Sequence, residues 1–145
     1  MKQILLSPVK LVLILYKVFI KRGYSKPIVK FVRVKNIGGI TLYPLILIND
    51  KFKKPEYERR YNSIMVHEMV HWNRQKDSKS IILWYLNYVF SRGFRLDEEL
   101  RAYKEEFLAG GVTEHYCAES LSLRTYLKMI SYDRAKLLVE SWKKE

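Results

Sequence analysis

The sequence predicts an α+β domain with a small antiparallel sheet and a helical body. Apolar residues make up 48% of the chain and charged residues 29%, which is the composition of a globular protein. Residues 28–35, which alternate between charged and apolar, and residues 40–48 predict strands, whereas later apolar residues recur at helical spacing. A length of 145 residues suits one domain, 1–145, with a core that needs no disulfide or metal staple.

The first 35 residues are a basic, amphipathic segment in which residues 9–20 predict a helix. Lys10 and Lys17 interrupt its apolar run, and the uninterrupted stretch Leu11 to Tyr16 is far shorter than the roughly 20 residues that span a bilayer. No small-residue cleavage site follows, so we expect no transmembrane span, no secretory signal peptide and a cytoplasmic or virion-associated protein. The helix either packs on the core or lies on a membrane surface.

Two strands are expected after this segment. Charged and apolar residues alternate from Ile28 to Lys35, which predicts a half-buried strand. Asn36 to Gly39 is a turn signal, and Ile40 to Ile48 predicts a second strand that is broken or bulged near Pro44. We expect the two strands to form a hairpin or a small sheet.

The rest of the chain predicts helices separated by glycine and polar breaks. The first begins at Pro55, and Glu56 and Glu58 in its first turn match the helix dipole. Gly93 and Gly110-Gly111 are the expected breaks between later helices. The predicted helices cover residues 55–76, 79–91 and 97–108, followed by one or two helices within 119–144.

The net charge of +12 is concentrated early in the chain, since Met1 to Lys54 holds twelve Lys or Arg and a single acid, Asp50. Such a surface can face nucleic acid, anionic lipid or an anionic wall polymer, or it can simply keep the protein soluble. Cys117 is the only cysteine, which excludes an internal disulfide framework and a cysteine-rich zinc finger. Nucleic acid is not specifically indicated, because no recognition motif accompanies the charge.

The motif His67-Glu68-Met69-Val70-His71 carries the strongest chemical signal in the chain. Residues four apart share one helix face, so two imidazoles at this spacing can reach one tetrahedral zinc ion. Glu68 is placed to take a proton from zinc-bound water and later donate it to a leaving amine. The alternatives are an ordinary pair of helix histidines and a metal-free relic of a peptidase.

A catalytic zinc site needs a third protein ligand, and three residues compete for that position. Glu99 lies on an otherwise apolar helical stripe, where a carboxylate needs a partner such as a metal. Glu98 falls on a polar face, and His115 lies beyond a glycine break. Glu99 is therefore the predicted ligand, with Glu98 and then His115 as alternatives. An ion pair between Glu99 and an arginine such as Arg74 would remove the need for a metal.

His67 to His71 and the later segment Glu99-Leu100-Arg101-Ala102-Tyr103 together resemble the gluzincin class of HExxH zinc metallopeptidases. In that class a glutamate on a second helix is the third zinc ligand, often within a Glu-x-x-Ala-Asp segment. Ala102 keeps its place here, while Tyr103 stands where aspartate is common. More narrowly, residues 38–108 resemble small, poorly characterised metallopeptidases from bacteria and bacteriophages.

The resemblance implies a minimal zincin-like domain with zinc as its cofactor. In such enzymes the substrate backbone pairs with an edge strand, which would be Ile40 to Ile48. Tyr103 and His115 are the candidates for donating to the oxyanion or for a hydrogen bond that supports a zinc ligand.

The function predicted from these residues is zinc-dependent hydrolysis of peptide bonds in a protein or in a cell-wall peptide, with Glu68 as the catalytic residue. The alternative is a non-catalytic phage structural or virion-associated protein that keeps a zincin fold. Glu68 favours the enzyme, because structural zinc sites are usually closed by four protein ligands. The expected partners are a peptide or protein substrate and, through the basic N-terminal region, a peripheral membrane or assembly contact.

Overall fold

The computed structural model describes residues 23–34, 37–123 and 129–144. The predicted helix over residues 9–20, and with it the choice between core packing and membrane binding, lies outside the described residues. No helix in the described part of the chain is long and apolar enough to cross a membrane. The α+β prediction is confirmed, since a three-stranded sheet packs against a larger helical body.

The sheet contains β1 (Ile28–Val32), β2 (Gly39–Leu42) and β3 (Leu45–Asn49) in the order β1-β3-β2. The single strand expected over Ile40 to Ile48 is therefore two strands, β2 and β3, which pair antiparallel. Pro44 lies between them; without an N–H it cannot donate to a ladder, and the chain turns there. β1 pairs with β3 in parallel, so the sheet is mixed, and the expected antiparallel arrangement holds only for β2 and β3.

Five α-helices follow in the described residues, and hydroxyl side chains cap four of them. Ser91 ends one helix and begins the next, because its Oγ accepts a hydrogen bond from the amide of Phe94. The break expected at Gly93 thus lies two residues earlier, and Gly93 is inside the helix. The helices are α1 (Glu58–Asp77), α2 (Ile81–Phe90), α3 (Arg92–Leu108), α4 (Glu114–Ser122) and α5 (Tyr132–Ser141), with short 3-10 turns at Asp50–Lys53, Pro55–Tyr57 and Trp142–Lys144.

Helix α1 lies between two apolar clusters and contacts both the sheet and α3. Ile64 and Trp72 pack on the sheet side with Tyr43 and Ile46, and the Trp72 indole donates to the carbonyl of Pro44 at 3.2 Å. The second cluster joins α3, α4 and α5. His67 and His71 are on the face of α1 that is directed toward α3, so the histidine motif lies in the seam between sheet, α1 and α3.

Candidate metal centre

Three predicted ligands converge in this seam. His67 and His71 are 7% and 6% exposed, and Glu99 reaches them from α3 with 1% exposure. The Nε2 atoms of His67 and His71 lie 3.4 and 3.2 Å from the two carboxylate oxygens of Glu99. Two ligand atoms bound at about 2.0–2.2 Å to one tetrahedral zinc are roughly 3.4 Å apart. One ligand atom from each of the three side chains lies within 4.8 Å of the others, so the group is compact enough to hold one metal ion.

A buried carboxylate oxygen of Glu99 that lacks a hydrogen-bond partner also suits a bound cation. Oε2 of Glu99 is buried and lacks a hydrogen-bond partner among the described residues, whereas Oε1 accepts a hydrogen bond from the Tyr88 hydroxyl. A buried carboxylate oxygen without a partner is unfavourable, and a metal ion would supply one. Two imidazole nitrogens and one carboxylate are also a common donor set of catalytic zinc. The residues present thus fit zinc.

Glu68 lies beside this group but is held by the sheet. It is 5% exposed, and the Thr41 hydroxyl on β2 donates to its Oε2 at 2.7 Å. Gly39 leaves room for the carboxylate, since a Cβ added there would lie 2.9 Å from Oε1 of Glu68. Burial raises the pKa of Glu68, and electrostatic interaction with the two histidines of the motif opposes that shift. The result is a fixed carboxylate adjacent to the ligands.

The other ring nitrogen of His67 has a carboxylate partner. Its Nδ1 lies 3.1 Å from Oε2 of Glu106 on α3, and Glu106 is held in turn by Arg60, whose Nη1 lies 2.8 Å from Oε1, and by the Ser63 hydroxyl. Burial alone would lower the pKa of His67, but the nearby carboxylates of Glu106 and Glu99 raise it to about 10. Burial would raise the pKa of Glu106, but the contacts with His67, Ser63 and Arg60 hold it below its usual range. Glu106 thus orients the ring so that Nε2 points to Glu99.

Glu98, the alternative ligand, has a different partner. The prediction that it lies on a polar face was wrong, because its side chain is fully buried. Arg74 on α1 reaches it with Nη2 at 2.6 Å and Nε at 3.0 Å from Oε1. The ion pair considered for Glu99 is therefore formed by its neighbour, which leaves Glu99 for the histidines.

The two residues expected to support the site differ in placement. Tyr103 is 2% exposed, and its ring packs edge-on against the His67 ring with centroids 4.5 Å apart. His115 is exposed on α4, where its Nδ1 contacts the Tyr132 hydroxyl at 2.8 Å. The structure thus groups Tyr103 with the histidine motif and does not group His115 with it.

Sequence reasoning missed Glu106, although a signal was present. Glu106 is seven residues after Glu99, two helical turns along the same face, and four residues after Ala102 on the inner side of α3. Thr41 and Tyr88 were missed as well. They come from β2 and α2, and no local pattern connects them to the motif.

A cavity of about 390 Å³ opens beside these residues. His67, Glu68, His71 and Glu99 are in its wall, together with residues of β2, α2 and the start of α3. Leu42 and Trp84 are among its apolar wall residues.

Searches of family models, curated proteins and solved structures find no match to this chain. The function must therefore be inferred from the geometry of the residues around His67, His71 and Glu99.

Replacing Glu106 by glutamine is expected to weaken zinc binding about 10- to 100-fold, the usual effect of losing the partner of a histidine ligand. The amide keeps the volume but loses the negative charge that makes the His67 ring a better donor to metal. The measurement is competition for zinc with a chelating dye. Glu105→Gln is the matched control, because Glu105 is the exposed neighbour on α3. Equal zinc affinity in both variants would contradict a supporting role for Glu106.

Proposed function

We propose that this protein is a zinc-dependent peptidase in which His67, His71 and Glu99 bind zinc and Glu68 is the general base and acid. The observation that carries the proposal is that three donors converge while Glu68, buried beside them, is held separately by Thr41. Structural zinc is usually closed by four protein ligands, whereas catalytic zinc keeps one position open. The group found among the described residues has three donors, which suits the catalytic arrangement.

Each residue has a separate task in the proposed hydrolysis. Zinc, when bound, supplies a Lewis acid and brings the pKa of water near neutrality. Thr41 holds Oε2 of Glu68, which leaves Oε1 as the atom that accepts the proton of the attacking water and returns it to the leaving amine. Glu106 keeps the His67 ring in the orientation that exposes Nε2.

The cavity supports a peptide substrate. Leu42, Trp84 and Val89 give it apolar walls, which accommodate an apolar side chain next to the scissile bond. β2 is an edge strand on the same wall, so its outward backbone groups around Gly39 can pair with a short extended segment of peptide. The substrate class is therefore a peptide bond in an unfolded protein segment or in a cell-wall peptide.

The test combines metal content with hydrolysis. Zinc-loaded and dialysed protein is expected to hold about one zinc per chain by elemental analysis, as a three-ligand site does, and to cleave an unfolded protein substrate. A chelator should remove both properties, and added zinc should restore them. His67→Ala should lose zinc, whereas His115→Ala, which changes a histidine outside the group, should keep it.

Two results would overturn the proposal. Protein that takes up no zinc even after refolding with excess metal would be a metal-free relic. Protein that holds zinc at this site but cleaves no member of a broad peptide library would instead support a non-catalytic role.

A further inference from the structure

Arg95 is a buried cation in the wall of the same cavity. It is 7% exposed and lies on α3, one turn before Glu99. Its Nη1 donates to the carbonyls of Tyr88 and Val89 at 2.7 and 3.0 Å, at the end of α2. Its Nε is buried and has no acceptor among the described residues. The Nε–H of the guanidinium is thus left without a partner.

Capping of α2 explains only part of this arrangement. Carbonyls at a helix C-terminus attract a cation, and Nη1 satisfies that need. Capping does not require the Nε edge of the fork, and no carboxylate of the described residues lies within 4 Å of the guanidinium to balance its charge. Arginine presents its donors in a planar fork that matches a carboxylate. A buried arginine with an unpaired Nε–H, in the wall of the proposed substrate cavity, suits an anionic group of the substrate.

Gln75 limits how far a substrate can extend along β2. The amide of Asn49 donates to the carbonyl of Gly38, so in this antiparallel pair Gly39 and Thr41 turn their backbone groups away from β3. Gln75, 2% exposed, donates to the carbonyl of Thr41 at 3.1 Å and accepts from the amide of Tyr43 at 2.9 Å. Its side-chain amide therefore occupies the outer edge where a longer peptide would continue. Only a short stretch around Gly39 remains for pairing.

We propose that the cavity binds the C-terminal carboxylate of the substrate through Arg95, so that the enzyme removes one or two residues from the carboxyl end of a peptide. This inference rests on the proposed peptidase function. Arg95 and Glu99 are one helical turn apart on α3 and both line the cavity, so a carboxylate held by Arg95 lies near the ligand group and only a short C-terminal stretch of substrate fits between them. Water adds to the scissile carbonyl, the C–N bond breaks, and the amine leaves with a proton, carrying the original carboxylate with it.

The test is ligand binding that needs no hydrolysis. N-acetyl-phenylalanine and its C-terminal amide are titrated into zinc-loaded and metal-free protein, and tryptophan fluorescence is followed because Trp84 lines the cavity. The acid is expected to bind at least about tenfold more tightly than the amide in both forms, as a charge-assisted hydrogen bond allows. Arg95→Gln should abolish the difference, and Arg101→Gln, at an exposed arginine of α3, should retain it.

The wild-type comparison requires no variant, so a misfolded Arg95→Gln protein leaves the inference testable. Equal binding of acid and amide by the wild type would overturn it. An unchanged preference in folded Arg95→Gln protein would overturn it as well. Zinc-dependent cleavage at equal rates on free-acid and amidated peptides would reject the carboxylate site alone and leave the peptidase function intact. An Arg95-dependent preference in a protein that binds no zinc would support the carboxylate site and reject the peptidase.

Discussion

Replacing Glu68 by glutamine is expected to slow peptide hydrolysis about 10²- to 10⁴-fold, the usual contribution of a general base, while zinc content stays unchanged. Glutamine has the same shape, and its carbonyl oxygen can still accept the hydrogen bond that Thr41 donates. The amide cannot take a proton from water, so the proton-transfer step is lost without damage to the metal site. The measurement is kcat/KM on an unfolded protein or peptide substrate, beside elemental analysis.

Glu58→Gln is the control for this experiment, because Glu58 is an exposed acid in the first turn of the same helix. It removes the same charge from α1 at a distance from the cavity, and its activity should equal that of the wild type. Hydrolysis by Glu68→Gln at the wild-type rate would show that Glu68 is not the base. Loss of zinc in Glu68→Gln would show instead that Glu68 is a ligand.

Local periodicity was sufficient to find the centre of the site. The helix period alone places His67 and His71 on one face, and the apolar stripe of α3 singles out Glu99 as a buried acid. Both inferences depend only on residues within one helix. The structure brings these two helix faces together. His67, His71 and Glu99 are therefore neighbours in the fold, as the sequence predicted.

The residues that surround this centre could not be predicted from periodicity. Glu98 was predicted on a polar face because its neighbours on the same helix are polar. In the structure it is buried and forms an ion pair with Arg74 of another helix. Thr41 contacts Glu68 across 27 positions of the chain, and Tyr88 contacts Glu99 from a third helix. Contacts of this kind depend on how elements pack. Periodicity within one element carries no information about them.

The sheet illustrates the same limit. Alternation identified Ile28 to Lys35 as extended chain, the apolar run after the turn signal identified Ile40 to Ile48, and most of both segments is in strands. Alternation describes which side of a strand is buried, and it does not specify the partner strand or its direction. The turn at Pro44 makes β3 the central strand, and β1 then pairs with β3 in parallel. Pro44 is the signal for this turn, and the sequence predicted a break or a bulge there within one strand.

Replacing Glu99 by alanine is expected to reduce zinc affinity by more than the roughly 10- to 100-fold effect of losing an outer partner, because it removes a ligand directly. Hydrolysis should fall with the zinc content. The two histidines that remain cannot hold a tetrahedral ion as firmly, and their Nε2 atoms lose the carboxylate that faces both of them at 3.4 and 3.2 Å. Chelator competition measures the affinity, and elemental analysis measures the stoichiometry after dialysis.

Glu98→Ala is the matched control, because it removes a buried carboxylate from the adjacent position of α3. It breaks the ion pair with Arg74, whose side chain is 43% exposed and can return to water, so the free energy of unfolding should fall by about 1–3 kcal/mol. Zinc affinity should stay at the wild-type value. Loss of zinc from Glu98→Ala with retention in Glu99→Ala would reverse the two assignments. Loss from both would mean that zinc binding depends on the integrity of α3 as a whole, and a thermal melt of each zinc-free variant separates that outcome from direct ligation.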